Sequence, residues 1–126
     1  MNQDATQYRV LVLGLDPATI PGIDADEINS ALDAGLARFD ESELSADQHL
    51  VPLDDSAESR VIEALSRESY DCVVVGGGIR KPEPLVEFFE EVINLIRQHL
   101  PDAAIAFNTD GGNSLEAARR VLHTAL

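Results

Sequence analysis

A chain of 126 residues is long enough for one domain with a real core, and by size scaling it buries roughly two-thirds of the surface exposed by its unfolded form. Its formal charge of −14 opposes phosphate backbones and anionic bilayers, and no Lys/Arg cluster overrides this locally, so neither nucleic acid nor a membrane is expected as a partner. No apolar run approaches the roughly 20 residues of a spanning helix, and the single cysteine, Cys72, excludes an internal disulfide and a cysteine metal cluster within one chain.

The opening MNQDATQ has neither the basic n-region nor the apolar h-region of a signal peptide, so a cytoplasmic protein is expected. Residues 8–14 (YRVLVLG) are an apolar, β-branched run ended by glycine, the pattern of a buried first strand. Residues 15–23 (LDPATIPGI) hold two prolines and a glycine and read as a loop too broken for a helix. Asp24 is placed to N-cap a helix whose Ile28, Ala31, Leu32, Leu36 and Phe39 recur at helical spacing and are expected to face the core.

The acidic segment 40–47 reads as a solvated connection, and 48–53 (QHLVPL) as a second, weaker strand whose Pro52 places it near a strand end or on an edge. Asp55 with Glu58 has the spacing of a capping box, opening a helix with Val61, Ile62 and Leu65 inward. Residues 70–76 (YDCVVVG) are the most apolar stretch. Continuous hydrophobicity without alternation marks a strand covered on both faces, so this one belongs at the centre of a sheet.

The segment GGGIRKPEP then reads as a loop, followed by an amphipathic helix with Leu85, Phe88, Phe89, Val92, Ile93 and Ile96 on one stripe and Glu87, Glu90 and Glu91 opposite. Pro101 stops it. Residues 103–107 (AAIAF) form a fourth strand, and Asn113 with Glu116 repeats the capping pattern ahead of a last helix carrying Leu115, Ala118, Val121 and Leu122. Strand and helix thus alternate four times, which predicts a doubly wound three-layer α/β/α sandwich around a four-stranded parallel sheet of order 2-1-3-4.

With YDCVVVGGG at its centre, the chain resembles a flavodoxin-like or receiver-like (Rossmann-like) domain lacking the fifth strand and helix. It looks most like small, uncharacterised bacterial single-domain proteins of that architecture, a resemblance that implies a fold and no reaction.

In such sheets ligands bind beyond the carboxyl ends of the strands where strand order reverses. That places loops 14–23 and 76–84 side by side, flanked by 108–112, and gives Asp16, Gly76, Gly77, Gly78, Arg80, Lys81, Asn108 and Thr109 as candidate ligand-binding residues. Three glycines can turn amides toward an anion, and Arg80 and Lys81 supply charge, so a small anion or phosphorylated metabolite is the expected ligand. The competing reading is that the glycines merely let the chain turn tightly and both cations neutralise nearby carboxylates on the surface; Glu83 favours it, since a carboxylate at the next helix start takes the dipole's favourable place itself.

Asp16, Asp110 and Asn108 have the oxygen chemistry for Mg²⁺, but loop aspartates more commonly make turns, and His49, His99 and His123 share no metal-ligand spacing; no metal is expected. Compared with receivers, Asp16 and Thr109 stand near matching places while Gly76 and Gly77 occupy the phosphoacceptor position, which argues against phosphorylation of that kind. A flavodoxin's hydroxyl-rich phosphate loop, a Walker A loop, G-x-G-x-x-G after a strand and a G-x-S-x-G elbow are all lacking, so no cofactor is expected. No nucleophile or activated base can be named, which leaves catalysis open. The alternative to a ligand site is a non-catalytic receiver-like interaction module, and a homodimer through an exposed sheet edge or the small-residue last helix is expected under both readings.

Overall fold

The computed structural model describes residues 8–125, so the MNQDATQ opening lies outside the described residues. Four parallel strands, β1 (Arg9–Leu15), β2 (Ser45–Val51), β3 (Cys72–Val75) and β4 (Ala104–Phe107), form one sheet of order β2-β1-β3-β4. Helices α1 (Ala25–Ala37), α2 (Ala57–Leu65), α3 (Gly77–Arg80), α4 (Val86–His99) and α5 (Ser114–Ala125) connect or follow them, with 3₁₀ turns at Pro17–Thr19, Arg38–Glu41 and Glu83–Leu85. The three-layer sandwich expected from the alternating pattern is the observed architecture.

Both central strands owe their place to apolar side chains on both faces. Leu11, Leu13, Val73 and Val75 pack under α2 and α4, whereas Val10, Val12, Cys72 and Val74 pack against Phe39, Leu115, Ala118 and Leu122 on the other face. Burial pushes the Cys72 thiol up to about 12, so it is a core methyl-like group with no thiolate to offer. At the amino-terminal edge of the sheet Asp71 ties three strands together. Its carboxylate accepts from Arg9 N at 2.8 Å, its N–H donates to Arg9 O at 2.8 Å, and its carbonyl accepts from Ala104 N at 2.9 Å.

Several boundaries differ from the sequence reading. Strand β2 begins at Ser45, inside the segment read as a solvated connection, and pairs with β1 from Arg9↔Ser45 to Leu15↔Val51. An edge strand tolerates polar residues, and here Asp47 is held on the strand by the Tyr70 hydroxyl, which donates to it at 2.8 Å, with Arg9 at 3.7 Å. Burial, reinforced by that carboxylate, pushes the Tyr70 hydroxyl up to about 12.

The capping box at Asp55 does not form. Ser56 is the N-cap, and the turn is organised by Asp54, whose carboxylate accepts from the Ser56 N–H at 2.8 Å and from its hydroxyl. Those bonds hold the Asp54 carboxyl below its ordinary value. At the last helix, Asn113 turns its amide oxygen backward to Thr109 N (3.0 Å) and Asp110 N (3.3 Å), and Glu116 pairs with Arg38 of the 3₁₀ turn after α1. The preceding turn claims Asn113 and a distant arginine claims Glu116, so the local box does not form. The GGGIRKPEP stretch is also more regular than a loop, because it holds α3 and the start of the Glu83–Leu85 turn.

Candidate functional site

At the carboxyl ends of β1 and β3, where the strand order reverses, the structure opens a cleft of about 470 Å³. One wall is aliphatic: Ile20 and Ile23 from the loop after β1, Ile28, Ala31 and Leu32 from α1, and Leu50 from β2. The opposite wall is backbone and polar side chains: Gly76, Gly77, Gly78, Lys81, Asn108, Thr109, Asp110 and Gly111.

The aliphatic wall revises the reading of α1. Its stripe of Ile28, Ala31 and Leu32 was expected in the core, yet Ile28 is 37 % exposed and these residues face the cleft. The loop after β4 packs against the carboxyl-terminal half of α1. A Cβ on Gly35 would lie only 2.1 Å from Gly111 O, and one on Gly111 would lie 3.1 Å from a Leu32 methyl, so the backbones meet where only glycine fits. Arg38 adds a bond from its guanidinium to Gly112 O at 3.1 Å.

The polar wall is built on Asn108, which is 3 % exposed. Its amide oxygen accepts from Gly77 N at 3.1 Å and its amide nitrogen donates to Ser114 Oγ at 3.0 Å, joining the loops after β3 and β4 to the start of α5. The Lys81 stem folds back over Gly77 so that Nζ donates to Thr109 O at 2.7 Å, bridging the same two loops from the cleft side.

Of the candidate site residues, Gly76, Gly77, Gly78, Lys81, Asn108 and Thr109 come together around the cleft, whereas Asp16 and Arg80 do not line it. The Asp16 carboxylate accepts from Ala18 N at 3.0 Å, capping the Pro17–Thr19 turn, and its N–H donates to Val51 O at 2.7 Å. Arg80 turns toward the sheet edge. Its guanidinium donates to Asn108 O and sits over the Phe107 ring at 5.5 Å, while its Nε is buried without a hydrogen-bond partner. It braces β4 from outside the cleft.

No protein-family model matches the chain, and no curated protein matches it either. What the site can do is therefore carried by its chemistry. Lys81 is the cation among the described lining residues, set against the carboxylates of Glu27 and Asp110, and Asp110 already accepts from Gly112 N at 2.7 Å. No three His, Cys, Asp or Glu side chains converge on a metal-sized site among the described residues. The described lining holds no histidine, cysteine or serine; its polar side chains are those of Glu27, Lys81, Asn108, Thr109 and Asp110.

Sequence reasoning located the polar wall through the glycines and missed the aliphatic one. A signal for it exists: Ile20 and Ile23 are apolar side chains in a proline-broken loop, and while Ile20 also packs on the core, Ile23 does not. Ile23 is 39 % exposed at the cleft, beside Gly22, whose φ of +78° turns the chain there.

Proposed function

We propose that this chain is a binding module for a small organic anion with an apolar body, seated in the cleft at the ends of β1 and β3. The observation that carries the reading is the two-sided lining: aliphatic side chains of α1 and the preceding loop face a polar wall on which Lys81 bridges two loops. Ligand pockets of a few hundred Å³ with a mostly apolar lining and a few placed polar groups are the usual form of small-molecule sites. The ammonium has three donors, so it keeps Thr109 O while meeting a ligand oxygen.

Glu27 and Asp110 narrow the charge. With one ammonium against two lining carboxylates, a phosphate dianion is opposed about twice as strongly as a carboxylate or other monoanion, which can meet Lys81 and leave its hydrocarbon part against Ile28 and Leu32. Thermal unfolding against inorganic phosphate, sugar phosphates and branched or aromatic carboxylates tests this. A carboxylate at a hundred times its Kd adds about 2.7 kcal/mol, or roughly 10 °C in Tm for a chain of this length. The shift is expected to vanish in Lys81→Gln and to survive in Asp16→Asn. Stabilisation by phosphates but not carboxylates refutes the assigned charge, and no stabilisation by any compound refutes the ligand class.

The second reading is a receiver-like interaction module working as a homodimer. It is favoured by the open edge of β4, where Phe107 (38 % exposed) and Val86 (58 % exposed) are the large apolar side chains left outside.

A further inference from the structure

The flank of α4 that borders the open edge of β4 carries exposed side chains of both charges. The inner face of α4 is spent on the core through Val92, Leu95 and Ile96. Glu91 meets Glu58 on the α2 side, and Phe89 packs edge-on against the Phe107 ring, centroids 5.8 Å apart, on the β4 side. At 100° per residue, Val86, Glu90, Ile93 and Arg97 fall within an arc of about 60° on that β4 side. Glu90 and Arg97 are exposed, and neither side chain has an ion-pair partner among the described residues.

The order of these residues is self-complementary. At 1.5 Å per residue Glu90 lies about 4.5 Å to one side of Ile93 and Arg97 about 6 Å to the other. Two antiparallel copies of α4 related by a two-fold axis at Ile93 therefore set each Glu90 against the partner's Arg97, twice, with Ile93 against its own copy between them. A parallel pairing sets like charges together instead.

The same axis suits the strand. Helix α4 runs antiparallel to β4, and Phe89 stands level with Phe107. Ile93 is about 6 Å along the helix from Phe89, a distance of about two strand residues, which reaches Ile105. Ala104 N donates to Asp71 O on the β3 side, so by alternation the N–H and C=O of Ile105 point to the open edge. A two-fold through Ile105 lets each N–H donate to the C=O of the other copy's Ile105 and continues the sheet across the dimer. Phe107 O is occupied by Arg120 at 3.0 Å, which ends the pairing there.

We propose that this face, the Val86–Arg97 flank of α4 with the Ile105 edge of β4, joins two copies of the chain about a two-fold axis through Ile93 and Ile105. The inference rests on the homodimer reading above and names its surface. The charge of −14 on each copy opposes association, which makes the reciprocal Glu90–Arg97 pairs selective for this arrangement and sensitive to salt.

Sedimentation equilibrium of the wild type, Glu90→Arg, Arg97→Glu, the double reversal and an equimolar mixture of the two single variants tests it. Circular dichroism serves as a control, since both side chains are exposed and the folds should stay intact. The wild type is expected to dimerise, and each single reversal to weaken the dimer at least about tenfold, because two attractive pairs become repulsive. The double reversal restores the wild-type affinity, and the mixture dimerises where its components do not. A wild type that stays monomeric overturns both this face and the homodimer reading. A wild-type dimer indifferent to the single reversals, or one not restored by the double, overturns this face alone.

Discussion

Gly35→Ala isolates the contact that holds the cleft open. Gly35 lies inside α1, where alanine is intrinsically favoured over glycine by about 0.8–1 kcal/mol, so helix propensity alone predicts stabilisation. The tertiary structure predicts the opposite. The new methyl carbon would sit 2.1 Å from Gly111 O and 3.1 Å from Gly112 Cα, both backbone atoms, so α1 and the loop after β4 have to separate. Overpacking of this kind costs about 1–3 kcal/mol, and backbone on both sides places it toward the upper end. The net loss of about 1–2 kcal/mol corresponds to a fall of roughly 4–8 °C in Tm for this length.

Differential scanning calorimetry reads that shift directly, with Gly78→Ala as the control, because a Cβ there meets nothing within 4 Å and its φ is not positive. A Gly35→Ala protein that melts at or above the wild-type temperature refutes the packing account of the cleft wall.

Asn108→Ala removes both bonds of a buried amide and leaves Gly77 N and Ser114 Oγ without it, a loss of about 2–4 kcal/mol that chemical denaturation would register; a change below 1 kcal/mol sinks the view of Asn108 as the joint of the polar wall. Arg80→Ala loses the bond to Asn108 O and the stacking on Phe107, so it should lower stability by about 1–3 kcal/mol while leaving ligand-induced shifts in place; loss of those shifts in a protein of wild-type stability would return Arg80 to the site. His49 is held below its ordinary value by burial first and then by Arg67 and Arg60, with Glu63 opposing, while Asp47, Glu68 and Tyr70 complete its surroundings. The unfolded state therefore binds the proton more tightly, and stability is full above the unfolded value near 6.5 and falls as pH drops through it toward the lower folded value. A Tm series from pH 7.5 to 5 is expected to slope less in His49→Gln than in the wild type, and parallel slopes refute the assignment.

The fold was legible because its signals are local. Four strand runs alternating with helical stripes permit few topologies, and the fully apolar Cys72–Val75 run allows β3 only a central position. The errors fell where a polar side chain chose a distant partner over a near one. Asp47 could be placed in a strand only by knowing that Tyr70 reaches it from 23 positions away. Glu116 has the spacing of a cap partner for Asn113, yet Arg38 claims it from 78 positions away.

The candidate site divides in the same way. The glycines, Lys81, Asn108 and Thr109 were marked by sequence because residues at the ends of parallel strands converge in any doubly wound sheet. Asp16 and Arg80 had the same credentials, and only the packed structure turns one into a turn cap and the other onto Phe107. An aliphatic stripe on a helix reads alike whether it is to be buried or to line a cleft. For Ile28 and Leu32 the choice is made by Gly35 against Gly111, a contact between positions far apart in the chain. Sequence by itself determined the layers, the strand order and the end of the sheet at which the cleft opens, since periodicity and chain connectivity are properties of neighbours. Tertiary structure alone decided which side chains face that space, because that depends on how closely two backbones approach.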